Sequence, residues 1–311
     1  MSSPKYQKSK ITAGSFSTFP NDRRSIPLLP NDRVECSLNH TSGMKELPIL
    51  LMLDVSPSMQ DHNRMTQQNT AVRSFLTALC QNSKVRNAAR VAFYLFTSDI
   101  EYKTRFMQLD ELTFHPGEYL ERTISDKVKY SEDGVHKEFP INFPVFKAAE
   151  KGGTNIPLAV TSAVHNMQEY TRSLAAKNVQ KYVPFLVFTS DGNPDLTQNA
   201  EYTSDFRSYY MSETRKAADS INNVCNLEQS INDLIIPFFI GIGDAEGEYL
   251  RNYCTKFSRG VIMVDGRDDN LTFTNIFKHI AKAIAQSIVM QNTSKALINT
   301  LTETIKNIYD A

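Results

Sequence analysis

The chain has 311 residues, of which 41% are hydrophobic and 22% are charged, an ordinary balance for a globular protein. Lysine plus arginine and aspartate plus glutamate total 34 each, so the formal charge is zero and no general affinity for nucleic acids or membrane surfaces is expected. Apolar runs such as residues 234–242 fall far short of the roughly 20 residues needed to cross a bilayer.

Residues 1–45 are predicted to be an extension, because they carry four prolines and little strand or helix periodicity. We interpret them as an arm lying on the following domain, with a partner-binding arm as the alternative. The N-terminus is polar and does not resemble a secretory signal. The four cysteines are scattered without CxxC spacing, so we expect free thiols and a cytoplasmic setting.

Between residues 46 and 292, short apolar runs alternate with amphipathic helical stretches. This pattern predicts an α/β domain with a doubly wound, mostly parallel, Rossmann-like sheet flanked by helices. The apolar runs are continuous, so the strands are expected to be buried on both faces. The predicted strands are residues 49–54, 91–98, 183–190, 234–242 and 261–264, with a short antiparallel edge strand near 102–106.

Apolar residues recur at three- and four-residue intervals in the helical stretches. Helices are predicted over residues 65–79, 159–174, 212–224, 246–255 and 273–288. A last helix over 293–311 has a second apolar stripe, which would pack either on a partner chain or on the N-terminal arm. Residues 107–150 contain several prolines and glycines among many charges, and we interpret them as an irregular insertion with one helix near 119–128.

Oxygen-bearing side chains occur in three loops of the predicted fold. Asp54, Ser56 and Ser58 follow the first strand, Thr154 follows a Gly-Gly pair before a helix, and Asp191 follows the strand that ends near residue 190. In open α/β sheets, ligands bind beyond the carboxyl ends of the strands. We therefore expect the three loops to converge on one divalent cation.

The residue types indicate which cation would bind. Carboxylate and hydroxyl oxygens are hard ligands, which favour Mg²⁺, with Ca²⁺ or Mn²⁺ as alternatives, and no His/Cys set for zinc accompanies them. If the aspartates stay outside the first coordination sphere, the neutral hydroxyls leave the cation with most of its charge. The cation would then attract an external carboxylate, so we expect a Glu or Asp of a partner protein to complete the site.

The DVSPS, GGT and TSDG segments resemble the metal-ion-dependent adhesion site (MIDAS) of von Willebrand factor A domains. The family pattern D-x-S-x-S, then Thr, then Asp is matched by Asp54, Ser56, Ser58, Thr154 and Asp191. The resemblance covers residues 47–288. It implies a Mg²⁺ that bridges to an acidic residue of the bound protein, with the serines and the threonine ligating the metal and the aspartates acting mainly through water.

Without an export signal, the chain looks like the intracellular, bacterial TerY-like members of that family. This resemblance implies a role in a stress-response or regulatory assembly, with a kinase or phosphatase of the same system as partner. The predicted function is thus a protein-binding module and not an enzyme.

Two other functions remain open. The first is a Mg²⁺-dependent phosphatase or phosphoryl transferase with Asp54 as nucleophile, although the DxD of that phosphatase class is DxS here, which removes the usual general acid. The second is a structural protein with a vestigial metal site. No Ser-His-Asp or Cys-His arrangement stands out.

Overall fold

The computed structural model describes residues 45–191, 204–224, 234–243, 250, 252–253, 261–264 and 270–289. Within these residues the chain forms a six-stranded sheet flanked by helices and a separate two-stranded sheet. The strands are β1 Leu47–Asp54, β2 Ala89–Phe96, β3 Ile100–Lys103, β4 Leu120–Glu132, β5 Val135–Phe146, β6 Phe185–Ser190, β7 Ile236–Ile242 and β8 Val261–Val264. The helices are α1 Arg64–Gln81, α2 Ser83–Ala88, α3 Ile156–Ala176, α4 Ser204–Val224 and α5 Asn270–Val289.

The larger sheet has the order β3-β2-β1-β6-β7-β8, and its four parallel pairings confirm the predicted doubly wound architecture. β1 pairs in parallel with both β2 and β6, β6 with β7, and β7 with β8. Among the strands that the structure describes in this sheet, only β3 is antiparallel, at the edge beside β2, as predicted for a short edge strand. It lies at Ile100–Lys103, a few residues before the predicted position.

The core consists of two apolar layers, one on each face of this sheet. Along β1, Leu51 faces the layer that contains Phe75 of α1 and Phe277 of α5, whose rings meet edge to face with centroids 5.8 Å apart. Met52 faces the opposite layer with Met167 of α3. Alternate side chains of one strand are therefore buried on opposite faces, which explains the continuous apolar runs in the sequence.

The helix predicted near residues 119–128 is wrong, and the predicted irregular insertion (107–150) is regular over residues 120–146. This segment forms the antiparallel hairpin β4–β5, closed by Asp133 and Gly134, which both have positive φ (52° and 76°). An Asp-Gly pair is the residue combination favoured for such a two-residue turn. Pro140 and Pro144, which suggested irregularity, both lie in β5. They are four residues apart, so their backbone nitrogens have the same orientation along the strand. Each strand of a two-stranded sheet has an open edge, where a missing N–H costs little.

The hairpin packs against α1. Ile141, Phe143 and Phe146 of β5 are buried in the same apolar layer as α1 and α5. The side-chain amide of Asn69 both donates to the carbonyl of Phe146 (2.7 Å) and accepts from its N–H (2.9 Å). The end of β5 is therefore fixed beside the first half of α1, and the chain continues from there towards α3.

Other differences concern boundaries. β6 begins directly after Pro184 and β7 has Pro237 as its second residue, so both prolines stand at strand starts, where a missing N–H is tolerated. α4 begins at Ser204, eight residues before the predicted start at 212, and the short helix α2 was not predicted. The predicted extension 1–45, except its last residue, and the predicted helix 293–311 lie outside the described residues, as does most of 246–255. None of the described helices has the length and apolar character required to traverse a bilayer.

Candidate metal centre

The first and third predicted loops leave neighbouring parallel strands at the same edge of the sheet. Asp54 is the last residue of β1, and Asp191 directly follows Ser190, the last residue of β6. β1 and β6 are hydrogen-bonded neighbours, with Leu53 opposite Thr189. Because parallel strands end at a common edge, the pairing alone brings the two carboxylates to the same end of the sheet.

Asp54 is completely buried, and hydrogen bonds fix both of its carboxylate oxygens. Oδ1 accepts the backbone N–H of Ser56 at 2.8 Å, and Oδ2 accepts the hydroxyl of Ser190 at 2.7 Å. The first bond closes the turn that follows β1, and the second crosses to β6. The carboxylate therefore holds the serine loop and the end of β6 together.

Ser56, Ser58 and Asp191 form a continuous line of oxygen atoms. The hydroxyl of Ser58 donates to Oδ1 of Asp191 at 2.9 Å, and the hydroxyl oxygens of Ser56 and Ser58 are 3.0 Å apart. Since a serine has only one hydroxyl proton, Ser58 uses its own on Asp191 and accepts the proton of Ser56. Four of the five predicted residues are thus connected through direct contacts.

Thr154 lies on the neighbouring loop between β5 and α3, which is attached to the turn after β2. Ser98 Oγ accepts the N–H of Gly153 at 2.6 Å, and the carbonyl of Thr97 accepts the N–H of Asn155 at 2.8 Å. Asn155 also caps α3 by accepting the N–H of Leu158 at 3.2 Å. Thr154 is partly buried, and among the described residues no hydrogen bond joins its side chain to the other four.

Two further contacts place this loop beside the serine loop. The N–H of Ala149 donates to the carbonyl of Val55 at 2.7 Å, and Nε2 of Gln60 donates to the carbonyl of Ala149 at 3.0 Å.

Gly152 has φ of +128°, and a β-carbon there would stand 3.2 Å from Oγ1 of Thr97. The loop that carries Thr154 therefore requires a glycine to approach the turn after β2 this closely.

The hydrogen bonds to Asp54 and Asp191 do not fully offset the cost of burying their negative charges. Burial is the largest cause that raises the pKa of Asp54 to about 7, followed by the negative charge of Asp191, while hydrogen bonds from Ser56 and Ser190 act in the opposite direction. Burial also raises the pKa of Asp191, opposed by hydrogen bonds from Arg64 and Ser58. A cation beside two such carboxylates would stabilise their charged forms.

Arg64 is a residue of the site that the sequence analysis missed. Its Nη1 donates to Oδ2 of Asp191 at 2.7 Å, with only 8% and 0% of the two side chains exposed. The same nitrogen is 3.5 Å from the carbonyl oxygen of Ser58. Nothing in the local sequence marks this arginine, because its partner is 127 positions away.

Gln68 was also missed, although a signal for it exists. Its Nε2 donates to the carbonyl of Asp54 at 3.0 Å, and its Oε1 accepts the hydroxyl of Thr189 at 2.6 Å. Gln68 therefore joins the ends of β1 and β6 from α1. It falls between Met65 and Val72 on the apolar stripe of α1, so a polar residue interrupts a buried helical face, which indicates a buried partner.

The donor set fits a hard divalent cation. Asp54 and Asp191 supply carboxylates and Ser56 and Ser58 supply hydroxyls, whereas Thr154 would have to contribute from the adjoining loop. Throughout the described ranges there is no group of three or more His, Cys, Asp and Glu side chains arranged for a metal. The candidate centre instead combines two acidic residues with hydroxyl groups.

No family model matches the sequence, and no curated protein matches it either. Solved structures do match. The proximal thread matrix protein 1 of the mussel byssus is 12% identical with a TM-score of 0.41, over 78% of this chain and 48% of that one. The pilus adhesin SpaC of Lactobacillus rhamnosus GG, in its open conformation, is 15% identical with a TM-score of 0.45, over 79% and 31%.

A secreted C11 cysteine protease of Bacteroides thetaiotaomicron is 12% identical with a TM-score of 0.33, over 76% of this chain and 57% of the protease. This chain thus spans about a third to somewhat over half of the length of the three matched structures. With identities and TM-scores this low, the matches give no information about what the chain binds or does.

Proposed function

We propose that this chain is a metal-dependent protein-binding module of the von Willebrand factor A type. Mg²⁺, with Ca²⁺ or Mn²⁺ as alternatives, would be held by Asp54, Ser56, Ser58, Thr154 and Asp191, with the aspartates acting mainly through water. A Glu or Asp of the partner protein would complete its coordination. The proposal is carried chiefly by the continuous contacts from Ser190 through Asp54, Ser56 and Ser58 to Asp191 at the carboxyl edge of a doubly wound sheet.

The charges around the site support capture of an acidic group. Asp54 and Asp191 contribute two negative charges when ionised, and Arg64 contributes one positive charge. A divalent cation would therefore leave a net charge of +1, since two negative and three positive charges are combined. An external carboxylate would neutralise this excess in a partly dry environment, where electrostatic attraction is strong.

The burial of Asp54 favours binding over the phosphatase alternative. A nucleophilic carboxylate has to reach its substrate, whereas Asp54 has no exposed surface and both of its oxygens already accept hydrogen bonds. Its geometry suits a residue that orients the surrounding loops. We therefore propose a binding module rather than an enzyme.

The cellular setting is part of the proposal. We infer a TerY-like regulatory or stress-response role in the cytoplasm, with a kinase or phosphatase as partner, on the basis of the motif resemblance. The thiol of Cys80 is free and buried, and burial raises its pKa to about 12, so it is a poorly reactive core thiol.

The test is affinity capture by the immobilised chain from a lysate of its own cells, in Mg²⁺ and in EDTA. We expect a partner that is retained only in Mg²⁺, and retained by Thr70→Ala but not by Asp54→Ala or Thr154→Ala. Thr70 is the matched control, since its exposed hydroxyl only bonds back to the carbonyl of Thr66 on α1. Equal capture in EDTA, or turnover of an aryl phosphate that Asp54→Asn abolishes, would refute the binding proposal.

A further inference from the structure

We propose that Arg64 is an internal cation that competes with the divalent ion for Asp191 and thereby keeps the affinity for the metal alone low. This inference rests on the proposed function and adds a regulatory element to it. Oδ1 of Asp191 accepts the hydroxyl of Ser58, and Oδ2 accepts the guanidinium of Arg64 at 2.7 Å. A metal ion bound through Asp191 would have to share this carboxylate with Arg64 or displace it.

Two further features of the fold, besides Asp191, fix the position of Arg64. α1 begins at this residue, whose N–H bonds to the carbonyls of Met59 and Asp61. On another side lies Gly243, at the end of β7, where a β-carbon would stand 2.7 Å from Nη2 of Arg64. The absence of a side chain at Gly243 thus creates the space in which the guanidinium lies.

The segment before Arg64 is strained. His62 and Asn63 are consecutive non-glycine residues with positive φ, 51° and 60°, and both are exposed. Such conformations persist only where surrounding contacts hold them, and the Arg64–Asp191 ion pair is a strong contact directly at the end of this segment. Displacement of the guanidinium would therefore release a strained turn between Ser58 and α1.

The consequence is coupling between metal and partner. A positive guanidinium next to the divalent ion weakens metal binding, whereas a carboxylate from the partner can neutralise either positive group. The metal alone would then bind weakly, and metal and acidic partner would strengthen each other's binding, as linkage requires.

The experiment is a Mn²⁺ titration of the full chain, with free Mn²⁺ followed by electron paramagnetic resonance. We expect Arg64→Gln to bind Mn²⁺ at least about tenfold more tightly than the unmodified chain, because one nearby positive charge is removed. Arg73→Gln is the matched control: it removes the same charge from the same helix, but Arg73 pairs with Asp126 at a site where both side chains are 46% exposed. The Mn²⁺ affinity of Arg73→Gln should equal that of the unmodified chain.

A second variant covers the case in which Arg64→Gln does not fold. Gly243→Ala keeps every charge but would place a β-carbon 2.7 Å from Nη2 of Arg64, so the guanidinium has to shift from its position beside Asp191. Because the φ of Gly243 is +66°, circular dichroism first checks that this variant is folded. Tighter Mn²⁺ binding by either variant supports the proposal. Unchanged or weaker binding by the folded variants overturns it.

The same titration separates this inference from the proposed function. If Mn²⁺ binds the unmodified chain and not Asp54→Ala, the metal centre stands, and the Arg64 variants decide the role of Arg64 alone. If neither the unmodified chain nor the Arg64 and Gly243 variants bind Mn²⁺, the metal centre and the inference fail together. Binding that appears only in Arg64→Gln or Gly243→Ala would mean that Arg64 blocks the site outright.

Discussion

The hydroxyl of Ser190 donates a hydrogen bond to Oδ2 of Asp54 at 2.7 Å, across the carboxyl ends of β6 and β1. The two residues are 136 positions apart in sequence, and both are completely buried. This bond and the one from the N–H of Ser56 only partly offset the cost of burying the charge of Asp54. The stability of the metal-free protein should therefore depend on whether Asp54 is protonated.

Asp54→Asn should stabilise the metal-free protein at pH 8. The folded-state pKa of Asp54, about 7, lies above its ordinary value of 3.8, so the folded protein takes up a proton that the unfolded chain does not. Relative to high pH, the protonated Asp54 stabilises the folded protein. This contribution to the free energy of unfolding is fully present below pH 4 and is lost as the pH rises through about 7. The gain from Asp54→Asn should thus shrink on going from pH 8 to pH 5.

Urea unfolding in EDTA at several pH values measures this effect. Asp191→Asn is an informative comparison, because its carboxylate has a guanidinium partner, so that removing its charge breaks the buried Arg64–Asp191 ion pair. We expect it to destabilise the protein where Asp54→Asn does not. If Asp54→Asn lowered the stability by the same amount at all pH values, burial of the ionised Asp54 would not be the cost that we infer.

Mg²⁺ should raise the melting temperature more at pH 8 than at pH 6. Metal binding requires ionised carboxylates, and Asp54 has to lose its proton near pH 7 before its charge can stabilise the ion. A ligand that binds only the folded state stabilises it by mass action, so the melting temperature reports the affinity. The increase should disappear in Asp54→Ala, and an increase that is independent of pH would argue against the participation of Asp54.

The sheet could be predicted from sequence because each strand carries its own signal. In β1, Leu50 and Leu51 are buried in opposite apolar layers, so burial on both faces leaves a continuous apolar run. The serine loop and Asp191 could be assigned to a common edge for the same reason: each directly follows such a run. Their convergence then depends only on β1 and β6 being parallel neighbours.

The sequence did not predict the role of Arg64 or the hairpin β4–β5. The first depends on a contact between distant parts of the chain, and the second on a local turn signal flanked by prolines. Arg64 meets Asp191 only through the pairing of β1 with β6, which no local pattern encodes. The hairpin β4–β5 did have a local signal, the Asp133-Gly134 pair between two long segments. Pro140 and Pro144 outweighed it in the sequence analysis, although prolines are compatible with an open strand edge.

Ser98→Ala should loosen the loop that carries Thr154. The hydroxyl oxygen of Ser98 is the acceptor for the N–H of Gly153 at 2.6 Å, and losing a hydrogen bond worth ~1 kcal/mol corresponds to about fivefold faster amide exchange. Hydrogen exchange of residues 149–155 measures this directly. Ser125→Ala is the control, because the hydroxyl of Ser125 bonds to Asn142 on the exposed face of the hairpin.

If Ser98 positions Thr154 for the metal, Mg²⁺ affinity should fall in Ser98→Ala together with the faster exchange, and melting of the metal-free protein should change little. A purely structural role predicts the opposite combination, a lower melting temperature without a change in Mg²⁺ affinity. The carbonyl of Ser98 would still accept from Nδ2 of Asn155 at 3.2 Å, so the loop should loosen without detaching.

The attachment of the hairpin to α1 and α2 should depend on Arg86. Its guanidinium lies 3.8 Å from the ring centroid of Tyr130 in β4, and its Nη1 donates to the carbonyl of Cys80 at 2.7 Å in a buried environment. Arg86→Ala removes both contacts and the packing of the side chain, which should cost about 2–4 kcal/mol in the free energy of unfolding. Arg122→Ala, with its side chain 65% exposed on the same hairpin, should cost well under ~1 kcal/mol.

Gly134→Ala should destabilise the same hairpin through its turn alone. The φ of Gly134 is +76°, while a β-carbon there would meet no atom within 4 Å, so the expected cost of about 1–2 kcal/mol arises from the backbone conformation and not from a clash. Asp133→Asn is the control, because asparagine tolerates the positive φ of that position. Urea unfolding gives both values, and equal stabilities of the two variants would mean that the turn contributes nothing specific to the fold of residues 120–146.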